Sequence, residues 1–270
     1  MKATVLTDNT AREPLCGEWG LSVYIEHNGH TVLLDTGETD LFLQNARKLG
    51  VPIEDVEVGV LSHAHYDHSD GMPAFFEANR HAKFLLRAAA KQKCYDIGKE
   101  PPKYIGIRDG ILETYGDRIV YLDRDAELYP GAWVIGHHTE GLAKQGERAS
   151  MYTPDGNGWT PDAFQHEQSL VLEVDGGIAV FSSCTHAGAE TVVLEAMERF
   201  PGRAVRALIG GLHLFIRTEE EVRALAGELR RLGVEKIITG HCTGDAAFAV
   251  LARELGSAVD TLYCGKIIEL

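Results

Sequence analysis

Directly after the apolar run Val58-Gly59-Val60-Leu61, this chain sets His63, His65, Asp67 and His68 within six consecutive positions. Three imidazoles and a carboxylate crowded at the end of a buried run need something that compensates them. Such nitrogen and oxygen donors are the ligands that Zn²⁺ and similar borderline cations select. His63 and His65 are two apart, so an extended backbone turns both to one side. Asp67 and His68 are adjacent, point differently and are free to serve a second ion. The spacing therefore predicts two metals sharing one loop.

The rest of the chain must supply a scaffold for that loop. Short apolar runs with β-branched residues recur at 3–7, 21–26, 31–34, 58–61, 169–174, 178–182, 205–209 and 236–239. Helical spacing of apolar residues is expected over Leu41–Leu49, stopping at Gly50 with Pro52 beyond. Thr218 and Glu221 read as a capping box ahead of Val222, Leu225, Ala226, Leu229 and Leu232. A further helix is expected over Asp245–Leu255, and Asp175-Gly176-Gly177 marks a hairpin. Early strands in hairpin-like pairs, then strands alternating with helices, predict two packed sheets with helices outside. That is an α/β (α+β) four-layer αββα sandwich. The chain is read as a single domain over 1–270, with loop insertions near 99–118 and 140–166 lying over the site.

Composition narrows the partners. At 270 residues, with 44% hydrophobic and 24% charged content, the chain has globular proportions and enough length for a substantial core. Its net charge of −14 argues against nucleic acid and anionic membrane, both of which favour basic patches. A small anionic substrate remains compatible, because a metal centre makes its own positive field. No apolar stretch reaches the roughly 18 residues that cross a bilayer. The five cysteines are odd in number and form no C-x-x-C pair, which reads as reduced thiols. The N-terminal residues enter a strand-like run without a signal-peptide core, so a cytoplasmic location is expected.

The His-x-His-x-Asp-His arrangement of His63, His65, Asp67 and His68 resembles the signature of the metallo-β-lactamase superfamily. Leu33-Leu34-Asp35-Thr36-Gly37 resembles the Asp-Thr-Gly element that precedes it, and Ile237-Ile238-Thr239-Gly240-His241 the late strand that ends in Gly-His. Val5-Leu6-Thr7-Asp8-Asn9, Trp19-Gly20-Leu21-Ser22, Ser183-Cys184-Thr185-His186-Ala187-Gly188, Gly210-Gly211-Leu212-His213-Leu214 and His241-Cys242-Thr243-Gly244 are similar to one branch of it. That branch comprises metal-dependent hydrolases related to the dihydropterin ribofuranosylaminobenzene-phosphate synthase. The resemblance covers nearly the whole chain and implies a metallo-β-lactamase-like sandwich around two divalent ions, Zn²⁺ first, with Mn²⁺ or Fe²⁺ as alternatives.

The remaining ligands are read one by one. His241 follows a strand run and Gly240 and precedes a helix start, which is a rigid base for a ligand. His186 stands where the superfamily usually carries a bridging Asp, and the suspected branch implies it as a ligand. His137 and His138 follow a strand in the expected order, as an additional ligand or a substrate contact. His213, in a Gly-Gly-Leu-His turn, is assigned to the general acid or to substrate binding. Asp35 is expected to accept a hydrogen bond from a ligand histidine and so fix its tautomer. Cys184 and Cys242 read as small buried residues near the site. His166 is expected to orient a loop, and His27, His30 and His81 to lie on the surface. Lys144, Arg148 and Arg217 are the candidate anion binders.

These readings converge on a hydrolase that draws hydroxide from a dinuclear centre, with Asp67 catalytic as well as metal-binding. The expected substrate is a small phosphorylated or ester-containing metabolite. The branch also implies a transferase or synthase acting on a pterin-ribofuranosyl phosphate precursor. A diiron redox protein fits less well, because such members of the superfamily usually carry Glu where this chain has His65. A non-catalytic metal-binding sensor is the third alternative.

Overall fold

Hairpins near the N-terminus and strand-helix alternation further on build two seven-stranded sheets. The structure is a computed structural model that describes residues 1–156 and 158–270. In spatial order the first sheet runs Ile267–Glu269, Lys2–Thr7, Ser22–His27, His30–Leu34, Val58–Val60, Lys83–Arg87 and Ile119–Leu122. The second runs Val259–Thr261, Ile237–Thr239, Ala204–Gly210, Gly177–Phe181, Gln168–Val174, Ala132–Gly136 and Ala126–Tyr129. Each sheet is part antiparallel and part parallel. Parallel neighbours need a crossover. Helices Leu41–Leu49 and Met72–Ala78 serve the first sheet, and Ala189–Arg199, Glu219–Arg231 and Asp245–Leu255 the second.

Burial explains the layering. The inner faces meet through Val5, Val23, Ile25 and Leu34 on one side and Leu170, Leu172, Phe181 and Ile209 on the other. Behind the first sheet Phe42, Phe75 and Phe84 join it to its helices, and behind the second Val192, Leu208, Leu229 and Leu251 do the same. The architecture is the expected αββα sandwich. Local signals hold at the ends: Gly50 closes its helix at φ 70°, and Thr218 and Glu221 form the capping box. Among the described residues no helix is long and apolar enough to cross a membrane.

Two expectations change. The segments near 99–118 and 140–166 are not plain loops. They contain helices Ile111–Thr114 and Ala143–Ala149, and strands Trp159–Pro161, Met151–Pro154, Tyr95–Asp96 and Lys103–Tyr104 pair in that order into a third sheet. Strands of two to four residues are too short for a period of two to show, and their partners lie far along the chain. His27 is buried, not on the surface. It closes the hairpin opposite His30, and its Nε2 lies 2.7 Å from the Glu173 carbonyl. His30 is half-buried and stacks on Tyr129, whereas His81 is exposed.

Candidate metal centre

Five turns meet at one end of the sandwich, each beginning where a strand stops. Asp35 follows His30–Leu34, and the cluster from His63 follows Val58–Val60. Cys184 and His186 follow Gly177–Phe181, His213 follows Ala204–Gly210, and His241 follows Ile237–Thr239. All five strands take part in parallel pairs, so their carboxyl ends open into one crevice, the usual ligand position in such sheets. The turns are strained. Asp35, Thr185, His213 and His241 adopt φ of 59°, 46°, 47° and 48°. A left-handed residue other than glycine costs on the order of 1–2 kcal/mol, and here it swings side chains off the strand line into the crevice. Gly211 serves closeness instead: a Cβ there would sit 2.5 Å from the Cys242 sulfur.

Outer partners then aim the imidazoles. His63 Nδ1 meets Ser62 Oγ at 2.8 Å, His68 Nδ1 donates to Asp35 Oδ2 at 2.8 Å, and His241 Nδ1 faces Asn9 Oδ1 at 3.0 Å. Each contact leaves Nε2 to look inward. His63 Nε2, His65 Nε2 and both nitrogens of His186 are buried without a hydrogen-bond partner among the described residues. Ligand atoms of His63, His65 and His186 lie within 4.8 Å of one another. A buried, unpaired polar atom costs about 1–3 kcal/mol, so three that converge fit a cation that accepts their lone pairs. Burial, and after it the repulsion of neighbouring imidazoles, holds His63 and His186 well below the usual histidine range. Burial and His166 lower His65 to about 3. All three therefore keep the neutral, ligating form.

A second donor set adjoins the first. Asp67 Oδ2 lies 3.4 Å from His241 Nε2 and 3.6 Å from His68 Nε2, and those two nitrogens are 3.2 Å apart. Burial alone would depress His241, yet the negative charge of Cys242 and Asp67 raises it to about 9. A field that holds a proton there attracts a cation equally well. The Cys184 sulfur is 3.3 Å from His68 Nε2 and groups with His63 and His68, with His241 and Cys242, and with His186 and His213. It lies between the two sets. The sequence profile of the metallo-β-lactamase superfamily matches residues 20–241. The chain belongs to the metallo-β-lactamase superfamily.

Individual relatives agree. The chain is 26% identical over 271 residues to the 7,8-dihydropterin-6-methyl-4-(β-D-ribofuranosyl)-aminobenzene-5′-phosphate synthase of Methanocaldococcus jannaschii, spanning 95% of this chain and 91% of that protein. It superposes with a TM-score of 0.86 and 26% identity on the crystal structure of a metal-dependent hydrolase of the β-lactamase superfamily, covering 100% of this chain and 99% of that one. Zn²⁺-bound PqqB from Methylobacterium extorquens, at 14% identity and a TM-score of 0.55, covers 100% of both chains and shares the fold alone.

Within the metallo-β-lactamase fold, other histidines are put to different uses. His213 stands at the crevice, with both ring nitrogens unpartnered among the described residues and its ring 4.3 Å from that of His186. His137, by contrast, is spent on structure. Its Nδ1 donates to Glu195 Oε2 at 2.6 Å, and Nε2 faces Ser169 Oγ at 3.4 Å. The His138 side chain is 67% exposed. The sequence offers this pair as an additional ligand or substrate contact because, like His241, it follows a strand end. What that local signal leaves out is Glu195, on the Ala189–Arg199 helix.

Glu195 Oε1 also accepts from the backbone N–H groups of His138 and Thr139 and from the Thr139 hydroxyl. Burial opposes its ionisation, but these bonds, led by His137, lower the carboxyl to about 2. Its stabilisation is therefore complete above about pH 4.5 and is lost as pH falls toward 2. Glu195→Gln is expected to cost about 1–3 kcal/mol at pH 7 and much less at pH 3, in paired urea melts. An equal cost at both pH values would contradict the charge argument.

Further supports went unread in the sequence. Asp8 Oδ1 accepts the His241 N–H at 3.0 Å, and Glu167 accepts the N–H groups of His186 and Ala187 at 2.7 and 2.8 Å. Asp8 and Asn9 sit just past a strand end, a signal that was available. His166 does hold a loop, its Nδ1 accepting the Ala64 N–H at 3.2 Å and its Nε2 facing Asp162 Oδ2 at 3.1 Å. Of the expected anion binders, Arg148 is paired with Glu221, Lys144 is exposed, and Arg217 bonds Gln145 at 2.7 Å.

Proposed function

We propose that this protein is a metal-dependent hydrolase of a small phosphorylated or ester-containing metabolite, working with a dinuclear, zinc-type centre. The observation that carries the reading is the set of buried imidazoles, those of His63, His68 and His241 anchored through Nδ1, whose free nitrogens converge beside Asp67. His63, His65 and His186 would hold one cation, and Asp67, His68 and His241 the other. Two divalent cations so held would supply hydroxide at neutral pH and would polarise the electrophile. Asp67 would orient that nucleophile. His213, at the crevice wall with two free nitrogens, gives its proton to the leaving group. The strained turns keep the imidazoles aimed before substrate arrives, so no reorganisation is needed at the moment of reaction. The reading also has the protein acting in the cytoplasm on a soluble, anionic compound, with neither nucleic acid nor membrane as partner.

A second reading, group transfer, is favoured by one feature. Two cavities of about 240 and 310 Å³ both touch His186 and His213, which leaves room for two reacting moieties. The name of the Methanocaldococcus jannaschii relative, a synthase, points the same way.

Metal analysis by plasma mass spectrometry, paired with a screen of phosphomonoesters, phosphodiesters and lactones, tests the hydrolase. About two zinc or manganese ions per chain and turnover that chelator removes and metal restores are the expected result. Iron accompanied by oxygen consumption would replace the reading with a redox one. A folded protein that cannot be loaded with metal would end it.

A further inference from the structure

The 240 Å³ cavity over the metal centre has a chemistry of its own at the mouth. On one side stand Trp19 and Phe215, 44% and 52% exposed, with ring centroids 6.2 Å apart. Both also lean on site histidines, Trp19 on His241 and Phe215 on His213, each at 4.9 Å. Large rings left half in water beside a polar site are a surface waiting for another apolar face. Ile105 and Met151 line the same cavity. Lys99 and Lys103 also line it, carried by the hairpin between Tyr95–Asp96 and Lys103–Tyr104. Among the described residues neither lysine pairs with a carboxylate, and Lys103 Nζ contacts only the Tyr66 hydroxyl, at 3.3 Å, and that residue's ring.

The charge pattern makes this unusual. Residues 87–108 hold six Lys and Arg against Asp96 and Glu100, in a chain whose net charge is −14. A protein so acidic repels anions in general, yet Lys99 and Lys103 stand together at the metal cleft, with Asp96 beside them. Unpaired lysines at such a mouth raise the local concentration of anions and bind phosphate as point charges. Two of them match the charge of a phosphomonoester, which is near −2 at pH 7.

We infer that the cleft takes a planar aryl phosphomonoester, its ring against Trp19 and Phe215 and its phosphate on Lys99 and Lys103. The inference rests on the hydrolase or transferase reading for what happens next, but the binding step stands on these four residues. It is a separate anion site from Arg217, which lines the 310 Å³ cavity that also touches His186 and His213.

Phenyl phosphate is the probe, followed by isothermal titration calorimetry and by tryptophan emission, with chelator-treated and zinc-loaded protein side by side. Lys99→Gln/Lys103→Gln is expected to weaken binding about tenfold or more in both forms, because each charge-assisted contact contributes substantially. Raising the salt should weaken the wild type and leave the double variant almost unchanged. Trp19→Phe should abolish the emission change while calorimetry still detects binding. Equal affinity in wild type and double variant, or binding seen only with zinc, would overturn the inference. Binding that depends on the lysines in a protein without turnover would instead sink the hydrolase reading and leave this one standing.

Discussion

His186→Ala is expected to strip about half the bound metal and to lower turnover by about a thousandfold or more, with little loss of stability. The rate estimate follows from several kcal/mol of transition-state stabilisation at a metal, at 1.36 kcal/mol per tenfold. The stability half is the sharper claim. A buried residue usually costs 2–5 kcal/mol when cut back to alanine. His186, however, buries two nitrogens without partners among the described residues, and removing them relieves about 1–3 kcal/mol each of unmet hydrogen bonding. Its backbone stays anchored, because Glu167 holds the N–H groups of residues 186 and 187 whatever the side chain. What remains is the lost packing against Phe164, whose ring lies 4.7 Å from the imidazole. These terms nearly cancel. Metal content, kcat and thermal melts of the chelator-treated variant decide it. A variant that melts far below the wild type, or keeps its full metal content, would show that His186 is a structural residue.

The same contrast separates what was legible in the sequence from what was not. The cluster from His63 to His68 could be read because one short loop contains it, and spacing alone orients its members. His241 could be read because a strand, a glycine and a helix start surround it locally. His137 carried the same local signal, and only a carboxylate 58 residues away redirects it. Glu195 itself looks in the sequence like any helix-surface acid. The lysines lining the 240 Å³ cavity were not legible for a similar reason. Lys144, Arg148 and Arg217 lie near motif segments along the chain, but the mouth of the cleft is built by a hairpin whose strands are too short to announce themselves. Layer order was easier, since hairpin and crossover signals are local and each apolar run must bury its face somewhere.

Asp35→Ala is expected to cost about 3–5 kcal/mol in stability, and Asp35→Asn to weaken metal binding about 10–100-fold with a smaller stability loss. Asp35 is fully buried at the end of His30–Leu34. Its Oδ1 accepts the Ser62 N–H at 2.7 Å, and its Oδ2 accepts the Ser62 hydroxyl at 2.7 Å and His68 Nδ1 at 2.8 Å. Alanine leaves three donors unmet, and it must also occupy a φ of 59° that disfavours it. Asparagine tolerates that backbone, so its fault is chemical. One end of the amide becomes a donor facing donors. If its oxygen stays on the Ser62 N–H, its NH₂ meets His68 Nδ1, and that nitrogen can accept only if the ring proton moves to Nε2. The inward nitrogen, 3.2 Å from His241 Nε2 and 3.6 Å from Asp67, is then blocked as a ligand. Asparagine should therefore damage metal affinity far more than folding, and alanine should damage both. Chelator competition for affinity and urea melts for stability separate the two effects. If Asp35→Asn binds metal as the wild type does, Asp35 supports the turn without setting the His68 tautomer.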